Sequence, residues 1–187
     1  MKVYMRDDEI KLFQKYLKKS KKLLEYGSGG STLYASDYVD QIISVETDNS
    51  WIQKIKAYNK TNIKFIHVDI NCIWWKYVSW ADPQLKPDEN MKNLWKNYSN
   101  IQIDDDDIDL VLIDGRFRVA TLLNLYDKIK SDTNILIHDY SRIGYHILEM
   151  FYEKIERVDT LQVFKKRENI DRELLKKYSS EYELVID

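Results

Sequence analysis

The residues best suited to chemistry in this sequence are acids and glycines that follow short apolar runs. Glu25, Glu46, Asp69, Asp114 and Asp139 each end or follow such a run, and His138 precedes the last of them. The 187-residue chain has only five glycines, less than half of the usual ~7%. Three fall in Gly27-Ser28-Gly29-Gly30, one is Gly115 beside Asp114, and Gly144 follows Asp139. A glycine-rich turn lets backbone approach a ligand and offers amides to it. Glu46 lies 19 residues after Gly27, where a carboxylate can accept both hydroxyls of a ribose. Together they point to a nucleoside-containing ligand. Glu25, just before the glycines, would repel a diphosphate and favour an ammonium or sulfonium. The turn also lacks the G-x-G-x-x-G spacing of dinucleotide enzymes, because Thr32 stands where the last glycine belongs.

Asp114, His138 and Asp139 form the candidate reactive set. An aspartate or histidine can take a proton from a hydroxyl, and a bound metal can lower that hydroxyl's pKa. Each could equally satisfy loop amides at a strand end. His146 is a further residue for the cleft, whereas His67, mid-strand, reads as a packed core histidine. Only seven of the 29 basic residues are arginine, yet Arg116 and Arg118 flank Phe117, and Arg142 follows Asp139. Arginine forks suit carboxylate or phosphate on a substrate, or an ion pair with Asp114 or Asp139.

The elements that must position these residues alternate between strand and helix. Periodicity predicts helices over Glu9–Lys19, Thr32–Tyr38, Asn49–Tyr58, Phe117–Ile129, Tyr145–Ile155 and Asp171–Tyr178. Short apolar runs predict strands over Leu23–Tyr26, Gln41–Glu46, Ile63–Val68, Ile108–Ile113 and Asn134–Ile137, with Arg157–Thr160 and Leu161–Lys165 as a closing antiparallel pair. Such alternation implies an α/β fold, a doubly wound, Rossmann-like, mostly parallel sheet covered on both faces. Ligands bind such sheets beyond the C-terminal strand ends, where the acids stand. The length suits one domain, 1–187, interrupted at 70–103 by an insertion holding both prolines and four of the five tryptophans. Its aromatic residues would form a platform for a sugar, a lid, or a small satellite core.

At this point Glu25-Tyr26-Gly27-Ser28-Gly29-Gly30-Ser31 resembles the first motif of the class I S-adenosylmethionine-dependent methyltransferases. Ser31 replaces the third glycine common there. The resemblance implies a seven-stranded sheet and S-adenosylmethionine as cofactor, with Glu25, Gly27, Ser28, Gly29, Ser31 and Thr32 around it. It places Glu46 on the ribose and Asp69 near the adenine amino group. The segments Asp109–Arg118 and Ile135–Tyr140 are similar to a small-molecule O-methyltransferase subgroup that includes sugar-methylating enzymes. Its metal-dependent members imply a divalent cation, Mg or Mn, on Asp114 and Asp139, although no third ligand is evident next to Asp139. Arg116, Arg118, Arg142 and His146 would then face the substrate, a small molecule or glycan.

Other classes fit less well. The segment Ile113-Asp114-Gly115-Arg116 departs from the motif of adenine-N6 enzymes, and Cys72 follows Asn71 rather than the proline of cytosine-C5 enzymes. A net charge of −2 gives no case for nucleic acid, although RNA ribose methylation stays open, as does a non-catalytic cofactor-binding or interaction module. A single cysteine excludes an intramolecular disulfide framework or a multi-cysteine zinc site. No apolar run reaches the ~20 residues of a membrane span, so the expected location is cytoplasmic. A homo-oligomer is compatible with the sequence.

Overall fold

The computed structural model describes residues 1–71, 87–103 and 107–186. Its elements in chain order are α1 (Asp7–Leu17), β1 (Lys22–Tyr26), α2 (Gly30–Ala35), β2 (Gln41–Glu46), α3 (Asn49–Lys56), β3 (Ile63–His67) and α4 (Glu89–Ser99). After these come β4 (Leu110–Ile113), α5 (Arg118–Leu125), β5 (Asn134–Ile137), a 3₁₀ helix (Ile143–Met150), β6 (Tyr152–Val158), β7 (Leu161–Lys166) and α6 (Arg172–Tyr182).

The strands form one seven-stranded sheet in the order β3-β2-β1-β4-β5-β7-β6. Neighbours from β3 through β5 pair in parallel, and β7 runs antiparallel to both β5 and β6. The expected doubly wound sheet with an antiparallel close is therefore present. Its central strands are apolar at nearly every position because both faces are covered. Alternate residues serve opposite faces. Leu23, Ile42, Leu112 and Leu136 meet Leu12, Phe13 and Leu17 of α1. Leu24, Val45, Val111 and Ile137 meet α4 and α5 through Trp95, Tyr98, Val119 and Leu122. The chain winds outward from β1 to β3, then returns to β4 on the other side of β1. This places a topological switch point between β1 and β4, the crevice where doubly wound sheets bind ligands.

Side-chain caps set several helix starts. The Asp48 carboxylate accepts from the Ser50 amide at 2.7 Å, Asp88 from Met91 at 2.8 Å, and Asp171 from Glu173 and Leu174. Helix α1 begins at Asp7, two residues earlier than periodicity suggests, because the Arg6 amide donates to Glu9 Oε2.

Beyond shifts of a few residues at helix ends, the structure departs from the sequence reading in three places. The expected helix over Tyr145–Ile155 is a 3₁₀ helix ending at Met150, and Tyr152 opens β6. Pairing against β7 from Tyr152↔Lys166 onward wins there, with the Tyr152 hydroxyl anchored on the Leu122 carbonyl at 2.6 Å. His67 is exposed at the end of edge strand β3, its Nε2 3.2 Å from the Thr47 carbonyl, and is no core residue. The described part of the aromatic insertion packs into the main core. Trp95 and Tyr98 are buried on α4, with the Trp95 ring 5.5 Å from Phe117. Cys72, Trp74, Trp75, Tyr77, Trp80 and Pro83 lie outside the described residues, so the platform reading there is untouched. Among the described residues no helix is long and apolar enough to cross a membrane.

Candidate functional site

The site begins where β1 and β4 end. Gly27 has φ +95°, and a Cβ placed on it would stand 2.7 Å from the Gly115 nitrogen. A Cβ on Gly115 would in turn collide with the Tyr98 hydroxyl. Two strand-end turns thus pass backbone against backbone, which only glycine permits at both positions. Gly144, by contrast, is exposed on the 3₁₀ helix with no such requirement.

Glu25 does not face the ligand crevice. It is 0% exposed, and its oxygens accept hydrogen bonds from Ser31 Oγ (2.6 Å), Thr32 Oγ1 (2.5 Å) and Ser44 Oγ (2.9 Å). Burial pushes its carboxyl up to about 7 despite these three donors, and the nearby Asp114 charge pushes the same way. The expectation that Glu25 meets a cationic cofactor directly is therefore corrected. The side chain ties the start of α2 to β1 and β2 and so holds the glycine turn. Thr32 is equally buried, accepting from the Gly29 amide while donating to Glu25.

Glu46 does reach the crevice. Its Oε1 accepts from the Thr47 and Asp48 amides at 2.6 and 2.9 Å, and its Oε2 accepts from the Ser28 amide at 2.7 Å. Oε2 keeps acceptor capacity beyond that single bond.

Beyond β4 and β5 lies a dense charge cluster. His138 Nδ1 is 3.2 Å from Asp114 Oδ1 and 3.7 Å from Asp139 Oδ1, and its Nε2 is 3.4 Å from Glu9 Oε2. Carboxylates stand on both ring nitrogens, an arrangement that only imidazolium, a donor from each, can satisfy. Burial opposes that charge, yet the hydrogen bond donated to Asp114 and the charges of Asp114, Asp139 and Glu9 outweigh it and raise the pKa. His138 is consequently a poor base, contrary to the sequence expectation.

Glu9 is 1% exposed. Its other oxygen accepts from the Thr160 amide (3.0 Å) and hydroxyl (2.7 Å) in the β6–β7 turn. Burial would raise its pKa, but these bonds, the Arg6 amide and His138 together lower it. Arg118 is buried as well. It donates to the Gly115 and His138 carbonyls and pairs with Asp114 Oδ1 at 3.3 Å and Asp139 Oδ2 at 3.2 Å. Arg142 pairs with the same Asp139 oxygen at 2.9 Å and bonds the Tyr145 hydroxyl.

Asp114, His138 and Asp139 lie close enough together to suggest a metal site. They do not fit a divalent cation. A ligating imidazole must be neutral with a free lone pair, and the Arg118 guanidinium already bridges both carboxylates. Expectations of Mg or Mn on Asp114 and Asp139 are set aside on that ground.

A cleft of about 280 Å³ opens beside these groups. Gly27, Ser28, Gly29, Ser31, Glu46, Asp114, Arg116 and Arg118 line it. Of the remaining sequence candidates, Asp139 and Arg142 stand behind Asp114 in the charge cluster rather than in the lining. His146 is exposed, with its ring 5.1 Å from Tyr140, and lies outside the lining. Asp69 is exposed and accepts from the Asn71 amide, also away from the described lining.

Val3, Tyr4 and Met5 supply a further wall, and Trp51 and Tyr98 complete it. The N-terminal segment reaches there by crossing Gly30, where a Cβ would collide with the Lys2 carbonyl. Tyr98 stood out in the sequence as one of the aromatic residues of the insertion, whereas Val3, Tyr4, Met5 and Trp51 did not, nor did Glu9. One signal for Glu9 was available: it shares the helical stripe of Leu12, Phe13, Tyr16 and Leu17, where an acid is out of place unless it has a buried partner.

The strand order with a reversed β7 and a glycine turn at the switch point identifies the architecture. The fold is that of the class I methyltransferases. A methyltransferase-like protein of Silicibacter pomeroyi superposes with a TM-score of 0.78 at 22% identity, covering 97% of this chain and 96% of that one. The N-methyltransferase NodS of Bradyrhizobium japonicum, in complex with S-adenosylhomocysteine, gives 0.56 at 14% identity over 88% and 90%. An rRNA methylase of Streptococcus thermophilus gives 0.51 at 8% identity over 88% and 99%. No protein-family model matches the chain, and no curated protein sequence is similar to it. Within the class I methyltransferase fold, the cleft lies at the β1/β4 switch point.

Proposed function

We propose that this chain is an S-adenosylmethionine-dependent methyltransferase that O-methylates a small hydroxylated molecule such as a sugar. The observation that carries the reading is the Glu46 carboxylate, held on the Ser28 amide of the glycine turn at the rim of the cleft. Oε2 of Glu46 would accept the ribose hydroxyls, and Trp51 offers an aromatic face to the base. Gly29, with open space where a Cβ would be, leaves the turn accessible to the methionine portion.

When bound, S-adenosylmethionine supplies an electrophilic methyl group together with its leaving group. The protein must then align the acceptor and remove its proton. Asp114 is the residue for that task. Its Oδ1 is engaged by His138 and Arg118, which fix the carboxylate plane, and Oδ2 has no protein partner among the described residues. Oδ2 of Asp114 would accept the hydroxyl proton of the acceptor as that oxygen is methylated. Glu9, His138 and Arg118 are positioning residues in this scheme.

Calorimetry with S-adenosylmethionine and S-adenosylhomocysteine tests the cofactor reading. Binding in the micromolar range, lost in Glu46→Ala and Gly27→Val, supports it. Absence of binding would leave an interaction module on the same fold. A screen of mono- and oligosaccharide acceptors with labelled cofactor then tests the acceptor class. Transfer only to amines or to RNA would overturn the O-methylation of small molecules.

A further inference from the structure

The three arginines near the cleft have different fates. Arg118 is consumed by two carboxylates and three carbonyls, and Arg142 by Asp139 and Tyr145. Arg116 is different. It lies half-buried in the cleft lining, and only its backbone amide is engaged, donating to the Tyr98 hydroxyl at 3.3 Å. Among the described residues no carboxylate or carbonyl accepts from its guanidinium, although a carboxylate pair stands two residues away on Arg118. A partly desolvated guanidinium without an acceptor is costly to keep, since its planar fork presents up to five donors to the space it faces. The group that matches this fork is an oxyanion with two oxygens side by side.

The position of Arg116 distinguishes which ligand brings that oxyanion. Glu46, the ribose acceptor in the reading above, ends β2, whereas Arg116 follows β4 just past Asp114, and β1 lies between the two strands. Asp114 is the proposed base, so Arg116 stands on the acceptor's side of the crevice. We infer that Arg116 receives a carboxylate or phosphate of the acceptor, making the methylated compound an anionic hydroxy compound such as an acidic sugar or a sugar phosphate. Asp114 and Arg116 would then grip one molecule at two points, hydroxyl and anion, which orients the hydroxyl. This inference rests on the methyltransfer reading for the identity of the ligand, while the anion site itself is independent of it.

Nitrogen-15 spectra of the arginine side chains test the site without knowledge of the acceptor. Inorganic phosphate and sodium acetate are titrated into protein saturated with S-adenosylhomocysteine, with the Arg116 signal assigned through Arg116→Lys. The expected result is a saturable shift of the Arg116 signal in the wild type, with affinity for the better anion, measured by calorimetry in both proteins, at least about tenfold weaker in Arg116→Ala. Which anion binds better separates a phosphate from a carboxylate acceptor. No saturable shift with either anion overturns the inference. It is also overturned if S-adenosylhomocysteine alone shifts the Arg116 signal and displaces the anion, because the guanidinium then serves the cofactor's own carboxylate. Failure of S-adenosylhomocysteine to bind the wild-type protein would remove the methyltransfer reading instead, and the same titrations on the free protein would still decide the anion site.

Discussion

Glu9 and His138 are 129 residues apart in the chain, yet their side chains meet at 3.4 Å. The contact joins the first helix to the end of β5. Through His138 it reaches Asp114, and through the Thr160 bonds it reaches the β6–β7 turn. Four elements remote in sequence therefore share one partly buried charge network. Because α1 directly follows the Val3–Met5 wall of the cleft, this network also anchors that wall.

The network makes stability depend on pH in a defined direction. His138 has a raised folded pKa, so its contribution is whole below its ordinary value of 6.5 and is lost as pH rises through the folded value. Glu9 has a lowered pKa, so its contribution is whole above its ordinary 4.5 and is lost as pH falls through the folded value. Melting temperature measured against pH should fall above about 6.5 in the wild type and lose that component in His138→Gln. A wild-type curve that is no steeper than the variant's above this pH would contradict the imidazolium assignment.

Removing Glu9 strands His138 on one side. Glu9→Ala should destabilise the fold by roughly 3–5 kcal/mol, as breaking one partner of a buried charged pair does. Glu9→Gln should cost less, since it can still bond Thr160. Urea unfolding of both variants at pH 6 provides the comparison.

Glu25 works in the opposite sense to an ordinary paired acid. Its folded pKa is raised from 4.5 to about 7, so the folded state holds the proton more tightly. The associated stability is whole below 4.5 and is lost as pH rises towards 7, a change on the order of 3 kcal/mol. Glu25→Gln should therefore gain on the wild type between pH 5 and 6.5, before His138 begins to titrate. Equal slopes for the two proteins in denaturant titrations would show that Glu25 ionises normally.

The stacked glycines leave no space for a side chain. Gly27→Ala combines a left-handed backbone with a contact of 2.7 Å to Gly115, and should lower stability by at least about 2 kcal/mol. Gly29→Ala, which meets nothing within 4 Å, should fold normally and serves as the control. Circular dichroism melts of the pair would expose the difference.

Chelation separates the arginine-bridged site from a metal site. With Arg118 spanning Asp114 and Asp139, EDTA should leave cofactor binding and methyl transfer unchanged. Manganese added to the apo protein should give no bound signal by electron paramagnetic resonance. Chelator-sensitive turnover restored by Mg or Mn would overturn the charge assignment.

Much of the framework was legible from residue order alone. Short apolar runs and their acidic ends located β2 and β5 to the residue, and the glycine turn with Glu46 marked the cofactor side. Short-range chemistry sufficed there, because a strand's burial and a turn's backbone are written in neighbouring residues. The partition of roles among the charged residues was not legible. Asp114, Arg116, Arg118, His138, Asp139 and Arg142 look equivalent as strand-end polar residues, and Glu25 looks like a ligand contact beside its glycines. Which ones are spent on each other depends on distances between separate elements. A charge buried in the fold must find its partner across that fold. Packing thus decided that Glu25 holds the turn, that Arg118 occupies the place expected for a metal, and that Arg116 alone of the three arginines remains open to a ligand among the described residues. The sequence by itself determined the α/β order and the edge at which chemistry sits. Tertiary structure decided which partners each charged group there meets, because the electrostatic free energy of a buried ion is set by its three-dimensional neighbours and by little that lies beside it in the chain.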